Sequence, residues 1–163
     1  MLQEHSSIQQ QLAKANHHFQ AADHMASITY NLVKDQKLLI AIAENLHQAF
    51  TLAIDAVLQY ERLYKRIPPY AEHPGAKLEV FRQKVAPIYN LNRGYLIIVE
   101  ELRELVQGRK AAPMEFIRQD KYVICNQDYS KITTITLEKL KSYINESKPF
   151  MRKLNLILQN VRR

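Results

Sequence analysis

Apolar residues recur at the 3.6-residue period through most of the chain, and the breaks in that pattern divide it into helices. Over 7–33, Ile8, Leu12, Ala15, Phe19, Ala22, Ala26 and Val33 share one face, which predicts a first long helix. Asp35, just after Val33-Lys34, suits the N-cap of a second, because its carboxylate can accept from amides that a first turn leaves free. The second helix is predicted over 35–66 and stops at "IPPY", where Pro68 and Pro69 lack donors and restrict the residues before them. Its apolar residues cover roughly two thirds of the circumference, which places it at the centre of the core. A third stretch is predicted over 76–107, broken or kinked near Pro87, resumed after a cap at Asn92 and closed by Gly108 as its C′ residue.

Beyond Gly108 the texture changes. "RKAAPMEFIRQD" reads as a loop with one helical turn begun at Pro113. "KYVICNQDYSKITTIT" places β-branched and aromatic clusters on both sides of "NQDYS", which predicts a small hairpin. A last helix over 137–161 follows a cap at Thr136. Within it Leu137, Leu140, Ile144, Ser147, Met151, Leu154, Leu158 and Val161 step by threes and fours, a heptad-like seam that keeps register across Pro149. The expected fold is therefore all-α: one domain, 1–163, as an antiparallel four-helix-type bundle with a β-hairpin or irregular insertion near 112–135.

Composition agrees with that class. Three Gly and six Pro in 163 residues are too few for a turn-rich all-β or disordered chain. The N-terminus "MLQEHSSIQQQ" lacks the layout of a signal peptide, and the longest apolar run, "LLIAIA", falls far short of the ~20 residues of a membrane span. Cys125 is alone, so no internal disulfide forms and a buried structural thiol is expected. A soluble, cytoplasmic protein without a membrane partner is the expectation.

Charge adds an asymmetry. Residues 1–107 carry 11 Lys and Arg against 11 Asp and Glu, whereas 108–163 carry 12 against 5, so the whole net charge of +7 lies in the last third. There Arg109, Lys110, Arg118, Lys121 and Lys131 are interleaved with Phe116, Tyr122 and Tyr129, while Lys141, Lys148, Arg152 and Lys153 mark the last helix. Cations for phosphates beside rings for base stacking is the pattern that single-stranded nucleic acid favours. The expected contact set is Arg118, Lys121, Tyr122, Tyr129, Lys131, Arg152 and Lys153, with RNA as the partner.

The second helix carries one polar line: Glu44, His47, Gln48, Thr51, Asp55, Gln59 and Arg62, all within roughly 60° of Glu44 on a helical wheel. A solvated face is the first reading and a contact surface between chains the second. Glu44 and His47 also have the Glu-x-x-His spacing of carboxylate-bridged metal sites. Those sites need a second such pair and two further glutamates, and His17 and His24 lie nearly opposite the apolar face of the first helix. No metal is expected. No glycine-rich phosphate loop, zinc pattern or nucleophile elbow occurs, so no catalytic residue and no cofactor are expected.

The stretch "HFQAADHMASITYNLVKDQKLLIAIAENLHQAFTLAIDAVLQYE" resembles the first helical hairpin of HEPN-type bundles over roughly 10–66, and the wider chain is similar to small archaeal helical proteins. The HEPN resemblance implies a small, often dimeric all-α protein, in a family where many members cleave RNA. Nuclease members share Arg-x(4–6)-His near the start of the last core helix. Here the match is Arg66 to His73, "RIPPYAEH", across the loop after the second helix, and the C-terminal half contains no His. The resemblance therefore implies binding of RNA or a partner rather than cleavage. Three functions remain open: a non-enzymatic RNA-binding module, a self-associating interaction protein using the 137–161 seam or the polar line, and a HEPN-type ribonuclease or metal-binding bundle.

Overall fold

The computed structural model describes residues 1–112, 114–126 and 128–159. It is mostly helical, with five helices and a three-stranded antiparallel sheet among the described residues. Helix α1 runs Leu2–His24, continues through a π turn at Met25–Thr29 and ends as Tyr30–Val33. The predicted apolar face holds as far as Ala26, but Val33 is 60% exposed. The π turn explains this, since one additional residue in a turn rotates the rest of the helix by about 100°.

Helix α2 spans Lys37–Leu63. Asp35 Oδ1 accepts from the Lys37 amide at 2.9 Å, as its cap role requires. The helix ends before the prolines matter: Lys65 turns left-handed (φ 56°), its amide donates to the Arg62 carbonyl, and the Arg66 amide donates to the Glu61 carbonyl. This pair of bonds is a Schellman closure. Helix α3, Pro74–Val80, continues through a π turn at Phe81–Val85, with His73 Nδ1 accepting from the Ala76 amide at its start. A second such closure at Asn90 separates it from α4, Arg93–Ala111, which Asn92 caps as expected. Gly108 is not the C′ residue. It lies inside α4 without a positive φ, because Arg109 is tied to Glu44 and Glu115 and the helix runs on to Ala111.

The strands are β1 (Met114–Arg118), β2 (Lys121–Cys125) and β3 (Ile132–Ile135), in the order β1-β2-β3. β2 and β3 are the predicted hairpin. β1 corrects the expectation of a loop with a helical turn; the helical turn was to begin at Pro113, which is outside the described residues. Helix α5, Leu137–Gln159, is capped by Thr136 Oγ1 on the Lys139 amide and continues through Pro149. Its seam is buried from Leu140 to Leu158; Val161 lies outside the described residues. Ser147, the polar member of the seam, bonds back to the Tyr143 and Ile144 carbonyls and so needs no outside partner.

Helix α2 is central, touching α1, α3, α4, α5 and β2. Its Phe50 joins a chain of rings: Phe19 of α1 at 6.3 Å and Phe150 of α5 at 6.0 Å, with Phe150 meeting Phe81 of α3 and stacking on Tyr95 of α4 at 5.1 Å. Five helices thereby share one aromatic core. Alongside it, Asn16 and Asn155 exchange both amide hydrogen bonds between α1 and α5.

Candidate nucleic-acid interface

Alternation along the strands gives the sheet two unlike faces. Tyr122, Ile124 and Ile135 join the main core, so the face containing them is turned to the helices. The pairing Arg118↔Lys121, Phe116↔Val123 and Met114↔Cys125 puts these six residues on the opposite, outer face. Val123 and Cys125 are buried there without joining the main core. Phe116 is 42% exposed on the edge strand, with Arg118 two residues beyond it.

The β2–β3 turn brings Tyr129 to the same face. Asn126 organises it, accepting from the Lys131 amide through Oδ1 at 2.9 Å and donating through Nδ2 to Ser130 Oγ at 2.8 Å. Asp128 is engaged inside the turn by the Ser130 amide and hydroxyl, which hold its carboxyl below the ordinary carboxylate range. Tyr129 itself has φ 58°, is 58% exposed, and sets its hydroxyl 3.1 Å from Met114 Sδ. A bulky residue rarely takes that conformation, where glycine or asparagine would sit without strain.

The seven residues expected from the sequence therefore divide. Arg118, Lys121 and Tyr129 belong to the outer face. Tyr122 is corrected: it is 7% exposed, faces the helices and donates its hydroxyl to Glu115, with burial first and that carboxylate second raising its pKa. Lys131 has the opposite parity and borders a cleft of about 390 Å³ between the inner face, α4 and the start of α5. That cleft has mixed charge: Glu101 and Glu104 face Arg109, Lys131 and Lys139, and Tyr143 donates to Glu101. Arg152 and Lys153 sit on α5 about 23 Å along its axis from Leu137, so they form no single patch with the sheet. Phe116 completes the face. Its signal in the sequence was the alternation in "MEFIR", which only pairing with β2 turns into a strand.

The polar line of α2 is not bare surface. No group of three potential metal ligands occurs among the described residues. Asp55 is only 19% exposed, and its carboxylate receives Gln11 at 2.7 Å, Gln59 at 3.2 Å and Lys77 Nζ at 2.9 Å. Lys77 continues to Glu72 at 3.0 Å, and Glu72 to Arg62 at 3.6 Å. Burial disfavours the charge on Lys77, but the bonds to Asp55 and Glu72 outweigh it and raise its pKa. Glu44 pairs with Arg109 at 2.9 Å, and Thr51 donates to the His47 carbonyl. His47 is held below its ordinary pKa, first by burial and then by Lys110 and Arg103.

Arg66 and His73 have separate structural tasks. Arg66 grips the fully buried Glu61 with two hydrogen bonds of 2.8 and 3.0 Å, Tyr89 donates to the same carboxylate, and His73 caps α3. The 137–161 seam packs against this chain's own helices as far as Leu158, so that stretch offers no open interface. No helix of the described residues is long and apolar enough to cross a membrane. The chain has no match among protein-family models, curated proteins or solved structures.

Proposed function

We propose that this protein is a non-enzymatic binding module that takes single-stranded RNA across the outer face of its sheet. The observation that carries the proposal is the coincidence on one face of two exposed rings, Phe116 and Tyr129, with two cations, Arg118 and Lys121, that no carboxylate neutralises among the described residues. Rings stack on bases whatever the sequence, and the cations meet phosphates. Tyr129 keeps a left-handed backbone in the turn, which is understandable where its ring is used and otherwise only a cost. A small platform of this kind discriminates weakly among sequences.

Affinity for a single-stranded RNA, measured against salt, tests it. Changing Arg118 and Lys121 together to Gln should lower the magnitude of the log–log slope by roughly 1.4, because each single-strand phosphate contact contributes about 0.7. Lys131→Gln and Arg152→Gln should leave the slope unchanged. An unaltered slope in the Arg118/Lys121 double variant would refute the interface. Self-association has one observation in its favour: Ile28, Leu32 and Val33 are exposed together at the end of α1. Sedimentation of Leu32→Lys against the unaltered chain decides it, since a monomer in both cases excludes that contact.

A further inference from the structure

A second site lies on the other side of the molecule's charge map, where the polar line of α2 meets the start of α3 and the middle of α4. His47, Asp55, Glu72, Lys77 and Arg103 surround a cleft of about 90 Å³ whose floor is apolar, formed by Ile54, Leu78 and Val99. Two carboxylates and two cations line it, but they are not all paired. Asp55, Lys77, Glu72 and Arg62 form a linear chain of two acids and two bases, each meeting an opposite charge. Arg103 stands outside it. Its Nε is buried with no hydrogen-bond partner, and among the described residues its guanidinium meets no carboxylate. A guanidinium with no carboxylate partner keeps its charge available to an anion in the cleft.

Two further details shape the site. The guanidinium lies across Gly75: a Cβ there would come within 3.3 Å of Arg103 Nη2 and 3.5 Å of His73 Nδ1, so glycine leaves room for the arginine to reach the cleft. Lys77 has three donors and directs two of them to Asp55 and Glu72, which leaves one. Thr51 has already given its hydroxyl proton to the His47 carbonyl and contributes no donor.

The geometry points to a binding site for one small phosphate group, held by the Arg103 fork with the His47 ring and the third Lys77 donor beside it. The volume corresponds to about three water molecules, enough for a single tetrahedral anion and too little for a nucleoside. Arginine matches phosphate oxygens with two parallel donors, which selects it over halide. Asp55 is engaged by Gln11, Gln59 and Lys77, so it does not oppose the anion at full strength. Exposed Glu72 stands at the rim and repels further negative charge. A polyphosphate or a nucleic-acid backbone is thereby disfavoured. The ligand is an isolated phosphate, either inorganic or the end group of a phosphomonoester whose remainder is uncharged and projects past Glu72 and Pro74.

The His47 ring is a reporter inside the cleft. The charged groups around it are Arg103 and Lys110 from α4, Glu44 and Asp55 on its own helix, and Lys77 and Glu72 at the start of α3. Proton NMR of the full chain, titrated with inorganic phosphate at constant ionic strength, should move the His47 signals saturably and raise its pKa, because the anion offsets the cationic field. Glycerol phosphate, run as a second arm, separates a site for free phosphate from one that accepts a monoester. Arg103→Gln should weaken the response roughly ten-fold or more, and Arg103→Lys should recover only part of it, as expected for a charge-assisted fork. Should Arg103→Gln lose helical circular dichroism, Arg103→Met, which keeps the apolar stem and removes the charge, takes its place. No His47 response with phosphate on the order of 10 mM, where a weak site of this kind would fill, overturns the proposal. So does an equal response to acetate, or an Arg103→Gln variant that titrates like the unaltered chain.

Discussion

The polar line of α2 and the outer face of the sheet both present charged side chains, and they hold them in opposite ways. Along α2, Asp55, Arg62 and Glu44 have partners from α1, the 64–73 loop, α3 and α4: Gln11, Glu72, Lys77 and Arg109. On the sheet, Arg118 and Lys121 face solvent beside Phe116 and Tyr129. The acids and the arginine of the polar line are thus balanced in space, pair by pair, whereas the excess in the last third includes cations without counter-charges among the described residues. Net charge indicated which end to examine; the pairing separates its cations that meet a carboxylate from those that meet none among the described residues.

Stability measurements should separate the two regions, beginning with the deepest pair. Arg66→Met leaves the fully buried Glu61 carboxylate with only the Tyr89 hydroxyl, and urea unfolding should show a loss of about 3 kcal/mol or more. Asp55→Ala comes next. It leaves the ammonium of Lys77, 21% exposed, with Glu72 alone and takes one acceptor from each of two amides, at a cost of about 1–2 kcal/mol. Arg118→Gln with Lys121→Gln should change stability by less than about 0.5 kcal/mol, since neither side chain has an ion-pair partner to lose. If the sheet pair proved as costly as Asp55, those cations would be structural and the contrast between the regions would collapse.

What the sequence disclosed was local. The periods of α1, α2 and α5 and the caps Asp35, Asn92 and Thr136 depend on residues a few positions apart, and each was legible. β1 was not, because its five residues are all exposed and only the register with β2 defines them as a strand. Gly108 misled for a similar reason: ties from Arg109 to Glu44, some 65 positions away, help carry the helix past it. The polar line was visible as a line, but its meaning lay in Gln11, Lys77 and Arg103, which come from three other helices. Tyr122 and Tyr129 looked equivalent in sequence; strand parity turns one inward and the turn presents the other.

Tyr129→Gly sharpens the comparison at a single position. The substitution relieves a left-handed residue, so stability should hold or rise, by up to about 1 kcal/mol after the loss of the contact with Met114. RNA affinity should fall at the same time by the contribution of one stacked base, about 1–3 kcal/mol. Opposite signs in urea unfolding and RNA titration would mark the residue as kept for binding. Equal losses in both would make it part of the turn's own structure.

The smallest effect belongs to His47 and tests the paired region through pH. Its folded pKa is depressed below the ordinary 6.5 by burial, then by Lys110 and Arg103. Between the depressed value and the unfolded one, the unfolded chain binds more protons, so stability decreases as pH falls through that window and is fully present above about 6.5. His47→Gln should remove that part of the acid-side slope while leaving the slope below it. Lys110→Gln removes one of the two cations and should narrow the same window without abolishing it. Denaturant midpoints collected from pH 7 downward distinguish the three chains. A His47→Gln profile that follows the unaltered protein throughout would mean that the ring titrates as in solvent and that the cleft around it carries no cationic field.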